Sequence, residues 1–201
     1  MYIKVNIKNI ETIQVINFYW VEQIMDKRDL TLFKFLDGTH ASIHNHLDTL
    51  KELVQRISED NLGSKDKKQL GQICSFFDTE VREHHLQEES MIFPSLIHSD
   101  DLKNVRIANQ LFQDHGWLEE NWIELGPMLR AIENGQSWPN TGEILHAFDI
   151  FYLLNLEHMQ LEESIAYPQA RESLKKWRLE KSGRELHQLK KSQKRAAQPH
   201  H

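Results

Sequence analysis

Six side chains stand out by type and spacing: His40, His84, Glu88, His115, His158 and Glu162. His84 and Glu88 are four residues apart, as are His158 and Glu162. On a helix, residues i and i+4 lie one above the other on a single face. All six fall where the surrounding apolar periodicity calls for a hydrophobic residue. Burying four imidazoles and two carboxylates costs heavily unless cations compensate the charge or every group is hydrogen-bonded. A polar core network is the alternative, and the duplicated placement favours metal. Six nitrogen and oxygen ligands exceed the four of a structural zinc site. Imidazole suits iron, copper, nickel or zinc, and carboxylates shift preference towards iron or manganese. Two glutamates can each bridge two metals, leaving about two histidines per metal and open coordination positions.

The constellation arises from an internal repeat. His84-His-Leu-Gln-Glu88-Glu89-Ser90-Met-Ile-Phe93-Pro94 matches His158-Met-Gln-Leu-Glu162-Glu163-Ser164-Ile-Ala-Tyr167-Pro168, a shared H-x-x-x-E-E-S-x-x-aromatic-P. The offset is 74 residues, and His40 and His115 are 75 apart. Each half is a helix with one seam histidine followed by a helix with His-x-x-x-Glu, so two hairpins pair their apolar stripes.

Four helices must position these groups. Leu36, His40, Ile43, Leu47, Leu50, Val54 and Ile57 alternate spacings of four and three, which predicts a helix that Asp29 could cap and the loop around Asn61-Leu62-Gly63-Ser64 ends. A second carries Leu70, Ile73, Phe77, Val81, His84, Glu88 and Met91, and is expected to stop near Pro94. A third carries Ala108, Leu111, His115, Leu118, Trp122, Leu125, Leu129 and Ile132, with Asn134-Gly135 as its stop. A fourth carries Ile144, Phe148, Phe151, Leu154, His158, Glu162 and Ile165, and meets Pro168. The expected fold is all-α, an antiparallel up-and-down four-helix bundle over residues 30–170. Residues 1–29 form an N-terminal extension, with strand-like alternation at Ile3, Val5 and Ile7 and helical spacing from Ile10. Residues 171–201 form a basic helix or tail.

Periodicity sorts the remaining candidates. His44 shares a face with Asp37, Asp48 and Lys51; His85 and Glu89 share one with Asp78 and Arg82; Glu119 lies off the seam of His115. These read as surface groups. His46 falls between faces. His98, His146 and His187 lack a partner at the repeat-equivalent position, and His200 and His201 end a polar tail. Trp117 and Trp122 read as packing residues.

Composition bounds the function. The chain has 201 residues with 39% hydrophobic and 27% charged, 8 Gly and 5 Pro, too few turn formers for an all-β fold. Twelve histidines stand against a single cysteine, Cys74. That excludes an intrachain disulfide framework, a Cys-ligated iron–sulfur cluster and a Cys-rich zinc site. Residues 1–170 hold 14 Lys/Arg and 27 Asp/Glu, while residues 171–201 hold 10 and 3. The acidic body argues against nucleic acid as its partner. No apolar run reaches membrane-spanning length, and the N-terminal stretch lacks a secretory pattern, so a reduced, cytoplasmic setting is expected.

These motifs carry a family resemblance over roughly residues 30–170. His40 with Ile43, Leu47 and Leu50 resembles the first-helix pattern of hemerythrin-like HHE cation-binding domains. His84-x-x-x-Glu88 running to Phe93-Pro94 resembles their second-helix signature, Asp114-His115 their third, and His158-x-x-x-Glu162 running to Tyr167-Pro168 their fourth. The resemblance implies two non-haem iron ions in a carboxylate-bridged pair within a four-helix bundle. Oxygen-carrying members have five histidines, with H-x-x-x-H on the third helix. Here Glu119 stands four after His115, and Glu162 follows His158. The set of four histidines and two glutamates is closer to bacterial iron–sulfur-cluster repair di-iron proteins, linked to nitrosative and oxidative stress. Those carry an additional N-terminal cysteine-containing domain, whereas the single cysteine here, Cys74, falls in the second predicted helix.

The resulting expectation is an iron-binding protein that binds, senses or scavenges O2, NO or peroxide, with a protein partner as readout. The alternative is a di-iron oxidoreductase, or an iron donor in cluster repair. Ferritin-type oxidases show two Glu-x-x-His motifs; this chain has only Glu143-x-x-His146. A third possibility is a metal-free helical module acting through its basic tail.

Overall fold

The computed structural model describes residues 10–136 and 140–176, together with 180, 184, 187 and 188, and side chains from residue 30 onward. Helix α1 is Ile10–Ser58. Helix α2 covers residues 64–97, and α3 is Leu102–Glu133. Helix α4 starts at Thr141 and runs to residue 176. No strand occurs among the described residues. Phe35–Ser173 forms one compact unit, an all-α four-helix bundle; Met1–Lys34 and Leu174–His201 fall in a second. The described part of that second unit is helical. The alternation at Ile3, Val5 and Ile7 lies outside the described residues, as do His200, His201 and most of the basic tail.

Local chemistry sets the ends of these helices. The Asp101 carboxylate accepts from the Lys103 N–H at 2.9 Å at the start of α3, and the Asn140 side chain accepts from the Gly142 N–H at 3.1 Å at the start of α4. Such side chains satisfy donors that the first turn leaves open. At the end of α3, Gly135 takes φ 78°, its N–H bonds to the Ile132 carbonyl, and the Gln136 N–H bonds to that of Ala131. This is a Schellman closure, and the left-handed conformation explains the Asn-Gly stop. Asp29 is not at a helix start, because α1 is already helical from Ile10. The apolar spacing from Ile10 to Ile24 therefore continues one helix and does not precede a second.

The seam residues predicted for α1 are all buried. On α2 and α4 the expected seam holds as far as the glutamates and then slips by one. Met91 is 54% exposed and Ile165 40% exposed, while Ile92 and Ala166 are fully buried. The cause is a π-helical turn at Glu88–Ile92 and another at Glu162–Ala166. In each, the aromatic residue's N–H reaches five residues back: Phe93 to the Glu88 carbonyl and Tyr167 to that of Glu162. Each π turn inserts one residue and rotates the remainder of its helix by about 100°. The prolines explain why both occur here. In a continuous α-helix, Pro94 would lack the N–H owed to Ser90 and its ring would clash with that carbonyl. The wider turn absorbs the conflict. Accordingly α2 continues past Pro94 to Ile97, and α4 continues past Pro168; neither proline is the expected stop. Leu154 is half-buried, and Asn155 takes the buried place beside it.

The apolar core runs from Ile43 and Val81 through Leu118, Leu129 and Phe148. Beyond the histidine layer lie Leu36, Phe93, Leu96, Leu111 and Ala170, all fully or nearly fully buried. A polar layer is thus enclosed between two hydrophobic ones. Trp122 packs on Phe77 and Phe151, whereas Trp117 is 41% exposed and does not pack as expected.

Candidate metal centre

His40, His84, Glu88, His115, His158 and Glu162 are each no more than 5% exposed. They converge from all four helices. His84 and Glu88 share one face of α2 with 3.4 Å between Nε2 and Oε1; on α4 the corresponding His158–Glu162 distance is 3.3 Å. His40 on α1 approaches Glu162 Oε2 at 3.2 Å and His84 Nε2 at 3.1 Å. His115 on α3 approaches Glu88 Oε2 at 3.4 Å.

The two carboxylates divide their oxygens. Glu88 presents Oε1 towards His40 and His84 and Oε2 towards His115. Glu162 presents Oε2 towards His40 and Oε1 towards His158 and His115. Two groups result, each with ligand-capable atoms within 4.8 Å of one another: His40, His84, Glu88 and Glu162, and His85, Glu88, His115 and His158. His85 is the residue that periodicity missed. Its ring is half-buried and stacks on His115 with centroids 3.9 Å apart. It keeps the face shared with Asp78 and Arg82, and that face lines a cavity beside the cluster.

Glu89 and Glu163, expected to be surface groups or left without a role, brace the histidines from outside. Glu89 Oε1 lies 2.8 Å from His115 Nδ1, and Glu163 Oε1 lies 2.9 Å from His40 Nδ1. A carboxylate can only accept, so each Nδ1 carries the proton and donates. The Nε2 lone pair is left facing the cluster, as metal-ligating histidines require. The second Glu of each E-E pair was visible in the repeat and marks this role.

The electrostatics fit the same purpose. Burial lowers His84 to about 4, with its neighbouring histidines opposing the charge and Glu88 favouring it. His85 and His158 are also held low, chiefly by burial. Burial and the charge of Glu88 push Glu162 well up, while the surrounding imidazoles overcome burial to hold Glu88 well down. Neutral imidazoles beside carboxylate oxygens form a donor set for a cation.

Seven buried atoms here have no hydrogen-bond partner in the protein: His84 Nδ1, Glu88 Oε2, His115 Nε2, both ring nitrogens of His158 and both oxygens of Glu162. Leaving such a group unsatisfied costs about 1–3 kcal/mol. Seven of them rival the whole net stability of a domain, roughly 5–15 kcal/mol. Native interiors keep such groups paired. Bound cations satisfy the five that face the cluster (Glu88 Oε2, His115 Nε2, His158 Nε2 and both Glu162 oxygens), so the residues fit a metal pair.

The halves differ in one respect beyond His85. The Tyr167 hydroxyl donates to Glu88 Oε1 and lies 3.1 Å from His40 Nε2. Its repeat equivalent, Phe93, carries no such group and packs its ring against His115. Other histidines stand apart from the cluster. His46 stacks on Phe76 and bonds the Ser42 carbonyl; His98 bonds that of Pro94; His146 and His187 are exposed. Glu119 pairs with Arg82 at 3.5 Å on the surface. A cavity of about 300 Å³ reaches the cluster from the α2–α3 side, lined by Phe77, Val81, His85, His115, Leu118 and Phe151 among others.

The family model described as hemerythrin HHE cation binding domain matches residues 31–170. No curated protein and no solved structure matches the chain significantly. None of the described helices is long and apolar enough to cross a membrane.

Proposed function

The chain belongs to the hemerythrin HHE cation-binding family, and from that premise we propose that its bundle holds two iron ions bridged by Glu88 and Glu162. His40 and His84 serve one position, and His115 and His158 the other. The observation that carries this reading is the division of each carboxylate's oxygens between the two histidine groups. Iron bound in this way supplies reversible one-electron chemistry and coordination positions for O2, NO or peroxide. The protein binds, senses or scavenges such a molecule.

The chain's own residues supply the rest. Glu89 and Glu163 fix the tautomers of His115 and His40. Tyr167 holds its proton towards Glu88 and closes the His40 side, where burial and the adjacent carboxylates push its hydroxyl well up. The apolar layers on both sides exclude water. A reduced, cytoplasmic setting is part of the proposal, since one buried cysteine fits no disulfide framework. A protein partner would read a change of state.

A second reading is a di-iron oxidoreductase. It is favoured by the cavity at His115, whose volume of about 300 Å³ exceeds what a diatomic needs by roughly tenfold, a water claiming only about 30 Å³ of liquid. Cluster repair through a thiol finds no support in Cys74, which is buried and pushed up to about 11 by that burial.

Metal analysis of protein purified without oxygen tests the reading. About two irons per chain are expected, with an absorption spectrum that changes on adding O2 or NO. Glu88→Ala combined with Glu162→Ala should abolish paired-metal binding, and full occupancy in that double variant refutes the bridging model. Steady turnover of peroxide or NO would select the oxidoreductase over the sensor.

A further inference from the structure

One face of the duplicated bundle is filled, and its counterpart is hollow. The residues 74 places after Asp78, Arg82 and His85 are Tyr152, Leu156 and Met159. Those three belong to the apolar core or pack against it. Asp78, Arg82 and His85 instead line the cavity of about 300 Å³ on the α2–α3 side. Pockets for small organic molecules begin at about that size. The inner wall of the cavity is aromatic. Phe77, Trp122 and Phe151 touch one another with ring centroids 4.9, 5.1 and 5.2 Å apart, a spacing at which a further ring can join them. Beside them lies Asn155, buried where the other half has Val81. Its amide nitrogen donates to the Phe151 carbonyl at 2.7 Å, and no described group donates to its amide oxygen. A buried acceptor without a donor is costly, and a ligand in the cavity can supply one. The rim carries Asp78, Glu89 and Glu119 against Arg82 alone, which opposes an anion. The apolar wall opposes a bare cation.

We propose that this cavity binds a small uncharged aromatic molecule bearing one N–H or O–H donor, of the indole or phenol type. Its ring packs on Phe77, Trp122 and Phe151, and its donor bonds to Asn155 Oδ1. His115 lines the same cavity, so the bound molecule lies beside the cluster. Use of that molecule as a substrate rests on the oxidoreductase reading above; binding itself does not.

Calorimetry of the full chain with indole tests this, in protein loaded with iron without oxygen and in metal-free protein. One indole per chain should bind in both. In the metal-free chain, nuclear Overhauser contacts should run from the ligand to Phe77, Trp122 and Phe151. N-methylindole, which lacks the donor, should bind roughly 2–10-fold more weakly, the worth of one net hydrogen bond. Asn155→Val, which installs the residue of the other half, should erase that preference. Val81→Phe, which fills the cavity, should abolish binding, and an indole bearing a carboxylate should show none. No binding of indole, binding without contacts to those three rings, or a preference for the donor that survives in Asn155→Val overturns the inference. Iron content measured on the same samples separates the two readings: iron short of a pair with indole still bound refutes the metal pair and leaves the aromatic site standing.

Discussion

Replacing Glu163 by alanine removes the carboxylate that holds the His40 Nδ1–H at 2.9 Å. The Glu163 side chain is 48% exposed, so its loss should cost the metal-free fold under about 1 kcal/mol. The metal should feel it more. A carboxylate behind a ligating histidine fixes the ring and raises its basicity, and removing one costs about 10–100-fold in metal affinity, or roughly 1.4–2.8 kcal/mol. Glu89→Ala makes the same change behind His115, where the distance is 2.8 Å. The two glutamates act on different histidine groups, so each single variant should weaken one of two binding steps and spare the other. The double variant should weaken both steps, each by its own single effect, so that the total loss is their sum. Glu163→Gln keeps an acceptor without the charge and should recover part of the loss. The assay is an oxygen-free iron(II) titration against a chromophoric chelator, with thermal melting of the metal-free variants as control. Single variants that leave both steps unchanged would refute the bracing role. One that weakens both steps equally would refute the assignment of the two histidine groups to separate positions.

His44 is half-buried one turn from His40 but belongs to neither cluster; His44→Ala should leave iron content at its wild-type value, and a large loss would show that the α1 ligand is misassigned. Metal-free protein should lose stability in acid. Burial lowers His84 from 6.5 to about 4, so between those values the unfolded chain binds the proton and the folded one refuses it. The His84 contribution therefore falls as pH drops from about 6.5 to 4 and levels below that; urea midpoints of His84→Gln should show a smaller acid loss over this range than those of the unaltered chain, and an identical loss in both would contradict it. Burial raises Cys74 from 9.0 to about 11, which cuts its thiolate fraction at pH 8 by about 100-fold. Alkylation should be slow in native protein and quick in denaturant, and quick labelling of the native state would sink this.

Legibility in the sequence tracks which interactions are local. The i, i+4 pairs and the seam histidines could be placed because helical geometry is periodic, and the repeat doubled every observation. The π turns were hidden from a fixed 3.6-residue period. That hid Ile92 and Ala166 as core residues, and misassigned Met91 and Ile165. The proline four residues after the serine of each Glu-Glu-Ser run was the available signal, and it reads as a turn widener once the helix is known to continue beyond it. His85 was hidden differently: its face, shared with Asp78 and Arg82, lines a cavity beside the cluster, and periodicity alone reads such a face as surface. Asp29 looked like a cap only while the upstream segment was treated as separate.

Duplication and asymmetry meet at the two Glu-Glu pairs. The inner member of each, Glu88 or Glu162, is buried and divides its oxygens across the pseudo-symmetry axis. The outer member, Glu89 or Glu163, braces the histidine contributed by the opposite hairpin. Each hairpin supplies both histidines of one group, but the second carboxylate and the brace come from the other hairpin, so assembly of the site and pairing of the halves are one event. Symmetry is kept where both positions need the same support and lost where they differ. Tyr167 faces Phe93 across the repeat, and His85 faces Met159. Both substitutions act in one direction: hydroxyl and closure on the His40 side, imidazole and cavity on the His115 side. A centre that only stored metal would gain nothing from unequal faces. One that admits a small molecule at a single position requires them.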